Sequence, residues 1–179
     1  MHCCLACLRQ NRPFDAWSTL PDALSTSTRG YRLGSEIDFG DALASRRFLG
    51  EGWYETESWG VWSKGGQAKL YLLFGSPRHA PLVMRILAHG FIRPANPVLR
   101  VGAWMGDRLL ATWTFDYADT AAREARWREA AIPGLGYRAL ALTLTLDSPA
   151  SPAALGESVD RRQLGLGLHR LVIEEAKTG

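Results

Sequence analysis

Cysteine is confined to Cys3, Cys4 and Cys7, beside His2, and the rest of the chain has none. No disulfide can staple the later part of the fold, and no cysteine nucleophile can serve it. Cys4 and Cys7 have the gap of half a zinc knuckle. His79, His89 and His169 read as isolated in strand-like or loop contexts, so neither a metal site nor a cofactor is expected. Lysine is equally scarce, with 3 residues against 18 arginines, and the arginines are dispersed among acidic neighbours rather than gathered in a stripe. At a net charge of +3 this is no polycation, and nucleic acid is not an expected partner. No apolar run approaches the roughly 20 residues of a membrane span. The opening MHCCLACL has no basic n-region ahead of its few apolar residues, so it does not read as a secretory signal. A cytoplasmic or membrane-peripheral location is the resulting expectation. Catalytic signatures are missing too: there is no Gly-x-Ser-x-Gly elbow, phosphate loop or His-Glu-x-x-His, and the chain is expected not to be an enzyme.

With 179 residues and 46% hydrophobic content, the chain is long enough to bury about 70% of its surface in one core. Residues 1–28, ending in Leu-Ser-Thr-Ser-Thr, read as a flexible tail, and 29–179 as a single domain. From Tyr31 onward the pattern has period two. Ala68, Leu70, Leu72 and Phe74 share one face, and Leu82, Met84, Ile86 and Ala88 share another. Leu99, Val101, Ala103 and Met105 then face Leu109, Ala111, Trp113 and Phe115 across a Gly106-Asp107 hairpin turn. Gly65-Gly66 signals a second hairpin, joining a Trp59–Ser63 strand to the strand from Ala68. Leu140, Leu142, Leu144 and Leu146 form the cleanest one-sided strand, and a last strand runs from about Leu164 to Glu174. Helical signal is limited to Asp41–Phe48 and a capped turn at Ser151–Gly156; Ala121–Ala131 reads as helix by composition and as an edge strand by alternation, with the strand preferred. Eight or nine strands with one or two short helical turns predict an all-β, antiparallel β-sandwich of jelly-roll, carbohydrate-binding-module-like type.

Two clusters carry chemistry. In the first, Trp53, Tyr54, Glu55, Glu57, Trp59 and Trp62 interleave flat apolar faces with carboxylates, the combination a sugar ring needs for stacking and hydroxyl bonding. The competing reading is that these aromatics fill a core. If the segment is extended, Trp59 and Trp62 point to opposite faces, while Glu55 and Glu57 lie on the same face roughly 6 to 7 Å apart. The second cluster, Ser148 to Leu168, combines the capped turn, the Asp160-Arg161-Arg162 corner and a strand whose Gly165 and Gly167 leave one face bare. A buried ion pair between Glu57 and an arginine of this corner is expected. On the Val98–Met105 strand, Arg100, Gly102 and Trp104 fall opposite the apolar face. They form either a sugar-stacking platform or ordinary packing under another segment.

Gly-Trp-x-x-x-Glu-x-x-Gly-x-Trp-Ser at 52–63, followed by Ser-Pro-x-x-x-Gly-x-Ser-x-Asp-x-Arg-x-Leu-Gly at 151–165, resembles an uncharacterised bacterial domain. That domain occurs at the ends of glycosyltransferases and of polytopic membrane proteins of cell-surface polysaccharide assembly. The matching residues are Trp53, Glu57, Gly60, Trp62, Asp160 and Arg162. The resemblance implies a β-sandwich in a glycan context, with a glycan and a glycosyltransferase as expected partners. The resulting expectation is a non-catalytic carbohydrate-associated module with Trp53, Glu57, Trp59, Arg100, Trp104, Asp160 and Arg162 as ligand contacts. The alternative is a structural or protein-interaction domain with no ligand of its own.

Overall fold

A computed structural model describes residues 30–177. The expectations placed on Cys3, Cys4, Cys7 and the 1–28 tail lie outside the described residues. Nine strands build two antiparallel sheets: β1 (Ile37–Asp38), β2 (Val61–Lys64), β3 (Gln67–Arg78), β4 (Leu82–Gly90), β5 (Val98–Met105), β6 (Arg108–Asp116), β7 (Arg126–Ile132), β8 (Tyr137–Leu146) and β9 (Leu164–Glu175). The first sheet has the order β1-β9-β4-β7, with β2 also on β9; the second has β3-β8-β5-β6. This is the expected β-sandwich of jelly-roll type.

The core lies between the sheets because the period-two faces converge there. Leu70 and Leu72 from β3, Leu140, Leu142 and Leu144 from β8, and Leu99, Val101 and Phe115 from β5 and β6 meet Met84, Ile86, Leu166, Leu171 and Ile173 of the first sheet. Burying each large apolar side chain contributes about 1.5–3 kcal/mol. One helix, α1 (Ala42–Ser45), followed by a 3-10 turn, fulfils the Asp41–Phe48 expectation. The Asp41 carboxylate caps it, accepting from the Leu43 and Ala44 amides. β7 is an edge strand, as preferred, although it begins only at Arg126, after a 3-10 turn over Thr120–Arg123. Ser151–Gly156 is a turn in which the Ser151 hydroxyl accepts from the Ala154 amide at 3.3 Å.

Three expectations are corrected. Gly65-Gly66 does not close a hairpin: β2 pairs with β9 and β3 with β8, so this turn carries the chain from one sheet to the other. The Gly106-Asp107 hairpin is present, but a bulge between Ala103 and Trp104 pairs Trp104 with Leu109. The bulge changes parity on β6, leaving Leu109 46% exposed while Leu110 packs against the core. Finally, β2 starts at Val61, and Trp59 lies in a tight turn in which Glu57 and Gly60 exchange backbone hydrogen bonds of 2.8 and 3.1 Å. A Cβ on Gly60 would sit 2.3 Å from the Leu168 carbonyl oxygen, so only glycine lets this turn lie against β9.

Candidate functional site

The two sequence clusters meet on the outer face of the first sheet, at the end where β9 begins and β2 and β4 finish. Strand register sets the centre: Gly167 of β9 lies opposite both Trp62 of β2 and His89 of β4. A Cβ on Gly167 would fall 2.4 Å from the His89 ring, so the face left bare by glycine is filled by an imidazole. His169 joins it, with His89 Nδ1 and His169 Nε2 2.8 Å apart. The turn at 57–60 folds Trp59 onto this pair. Its ring centroid is 5.2 Å from Trp62, 5.2 Å from His89 and 4.8 Å from His169. The expectation that Trp59 and Trp62 point to opposite faces is therefore overturned, because parity applies only within an extended strand. The reading of His89 and His169 as isolated fails likewise, since the pairing of β4 with β9 brings together residues 80 apart in sequence. Burial, reinforced by His169 and Arg93, pushes the His89 pKa down to about 4; burial and Arg170 lower His169. Both rings are held uncharged at neutral pH.

Beside this stack, Arg162 organises the corner. It donates to Glu57 Oε1 at 2.9 Å, and through Nε and Nη2 to the Asp160 carboxylate at 3.0 and 2.8 Å. Glu57 also accepts from the Trp59 indole at 2.9 Å. Hydrogen bonds from Arg162 lower the pKa of both Glu57 and Asp160. The expected link between the clusters is thus present, but it is half-exposed rather than buried, with side-chain exposures of 39% and 37%. Solvent screening reduces its worth accordingly. Tyr54 completes the corner, its hydroxyl accepting from the Gln163 amide at 2.9 Å. Trp53 packs against the core and donates to the Lys69 carbonyl at 2.7 Å. Glu55 is exposed and takes no part in the corner's hydrogen bonds, in which Glu57 accepts from Arg162 and Trp59. Among the described residues, no group of three or more His, Cys, Asp or Glu side chains could hold a metal ion.

Arg100 and Trp104 lie elsewhere, on the outer face of the second sheet. The Trp104 indole folds back along β5 over Gly102, where a Cβ would be 2.7 Å from Nε1, and donates to Thr145 Oγ1 at 3.0 Å. Its cross-strand neighbours are Thr143 and, through the bulge, the exposed Leu109. Arg100 is 64% exposed beside Asp147. A partly exposed indole lying against a glycine, amid threonines and a solvent-facing arginine, offers an aromatic surface and polar groups of the kind that stack a pyranose ring and hydrogen-bond its hydroxyls. The seven expected contacts therefore divide: five belong to the braced corner and its neighbour Trp53, and two to this platform.

No family model matches the chain, and no curated protein matches it. Among solved structures it is similar to a family GH115 4-O-methyl-α-glucuronidase with specificity for decorated arabinogalactans, at 14% identity and a TM-score of 0.49. That match covers 82% of this chain and 18% of the glucuronidase. It is also similar to a xylan-binding module, CBM15, at 10% identity and a TM-score of 0.48, over 81% of this chain and 97% of the module. A third similar structure is CsCBM6-3 from Clostridium stercorarium in complex with cellobiose, at 10% identity and a TM-score of 0.43, over 83% of this chain and 100% of that one.

Proposed function

We propose that this protein is a non-catalytic carbohydrate-binding β-sandwich that holds a saccharide on the outer face of its second sheet and so orients a partner enzyme of surface-polysaccharide assembly on its glycan. The observation that carries the reading is Trp104, whose indole lies against Gly102 and donates to Thr145 on the outer face of the sheet while the residue stays partly exposed. The polysaccharide-assembly context and the glycosyltransferase partner rest on the motif resemblance at 52–63 and 151–165. The test is calorimetric titration of the chain and of Trp104→Ala with fragments of bacterial surface polysaccharide. The reading expects millimolar or tighter binding that the substitution abolishes with little change in melting temperature. Absence of binding by a folded chain would refute it.

The alternative of a structural domain is favoured, for one part of the molecule, by the corner itself. Glu57, Trp59, Asp160 and Arg162 spend their polar groups on one another, as a brace does.

A further inference from the structure

A cleft of about 230 Å³ opens at the end of the first sheet, lined by Trp62, His89, Gly90, Ile92, Arg93, Tyr117 and Arg123. Apart from Trp62, which belongs to the first aromatic cluster, none of these is read above as a candidate ligand contact, and the cleft lies on the opposite sheet from Trp104. It is smaller than the roughly 300–1,000 Å³ of a drug-sized site, so it takes one ring rather than several. Trp62 presents an aromatic wall. Opposite stand two arginines already fixed in place: Arg123 lies 3.8 Å above the Tyr117 ring and Arg93 lies 4.4 Å above Phe91.

Each guanidinium is anchored by some of its nitrogens and keeps one terminal nitrogen uncommitted. Arg123 donates through Nε and Nη2 to the Tyr117 carbonyl at 3.1 and 2.9 Å, leaving Nη1. Arg93 donates through Nε to Glu157 and through Nη1 to the Ile92 carbonyl, leaving Nη2. The charge count is simple. Glu157 neutralises Arg93, whereas Arg123 has no ion-pair partner among the described residues. The neighbouring Asp116 and Asp119 carboxylates accept from the Ala118 and Ala121 amides. Accepting from a neutral amide leaves both carboxylates charged, so the cleft offers not a surplus of net charge but two uncommitted guanidinium nitrogens, Arg123 Nη1 and Arg93 Nη2, beside room for one ring.

We propose that this cleft is a second saccharide site, selective for a ring that carries a single carboxylate, a uronic acid, stacked on Trp62 with its carboxylate against Arg123 and Arg93. A neutral sugar would give these two cationic donors no anionic acceptor, whereas a carboxylate brings two acceptor oxygens to the two nitrogens. A sulfate ester has the same charge, and the experiment separates the two. The full chain is titrated with methyl β-D-glucuronide, methyl β-D-glucoside and methyl β-D-glucoside 6-sulfate, in low and high salt. The glucuronide is expected to bind at least about tenfold more tightly than the other two. That preference should weaken with salt and vanish in Arg123→Gln, while Arg123→Lys restores part of it and Trp104→Ala leaves it intact. Equal affinity for glucoside and glucuronide, preference for the sulfate, or an unchanged preference in Arg123→Gln would each overturn the proposal. Loss of glucuronide binding in Trp104→Ala would overturn the second site while leaving the platform standing.

Discussion

The outer faces of the two sheets use the same device, an aromatic side chain laid over a glycine, to opposite ends. On the first sheet Gly167 receives the His89 ring, which is then covered by Trp59 and Trp62 and flanked by the Arg162 corner. On the second, Gly102 receives the Trp104 indole, which donates to Thr145 and has no aromatic ring packed on it among the described residues, though it is buried to the same intermediate degree as Trp59 and Trp62. The denser motif cluster therefore packs ring on ring, and the sparser one holds a single, partly exposed indole by a hydrogen bond. Residue types suited to a ligand become available to one only where the surrounding fold leaves their polar groups and ring faces unspent.

The sharpest way to break this comparison is to add one methyl group to each glycine. Gly167→Ala drives a Cβ into the His89 imidazole inside a stack that cannot yield, and should cost about 1–3 kcal/mol in chemical denaturation. A loss much below that range would show that the first face is as loose as the second. Acid titration of stability probes the same stack by a second route. The folded pKa of His89 is about 4, below its unfolded value, so the unfolded chain binds the extra proton first. Stability should then fall as pH drops from about 6.5 toward 4, by at most about 1.4 kcal/mol per pH unit. His89→Gln should flatten that slope; the carboxylates of Glu57 and Asp160, whose pKa values are lowered, lose their contribution only further down the acid range.

A smaller effect is expected at the corner. Arg162→Ala and Glu57→Gln should each cost about 1 kcal/mol, reduced by salt because the pair is half-exposed. The double mutant should lose less than the sum of the singles; strict additivity would mean the brace contributes nothing as a pair. The smallest change in stability belongs to the second face. Gly102→Ala puts a Cβ 2.7 Å from the Trp104 indole nitrogen and 2.8 Å from Thr145 Oγ1, so their hydrogen bond must give way; it should cost about 0.5–1 kcal/mol and displace Trp104 enough to remove glycan binding. Unimpaired binding would separate the position of the Trp104 indole from its role.

Period-two alternation was enough to read the strands, their inward faces and the sandwich. Leu82, Met84, Ile86 and Ala88 are all buried, and so are Leu140, Leu142, Leu144 and Leu146, because a strand facing a core must place alternate residues there. The Glu57–Arg162 link and the outward placement of Trp104 were also legible, from charge complementarity and parity. What could not be read depended on register or on local breaks in parity. The bulge at Ala103/Trp104 exchanged Leu109 for Leu110, and the 57–60 turn put Trp59 beside Trp62. His89 stands outside the apolar parity of β4, a signal that it faces outward, whereas His169 sits where β9 changes parity between Leu168 and Leu171 and carries no such signal. Only the pairing of β4 with β9 says that they face each other. Arg93, Tyr117 and Arg123 carry no local pattern at all. They converge because the connections after β4 and β6 end at the same corner, and the location of a loop's end in space is decided by the packing of the two sheets rather than by the loop's own residues.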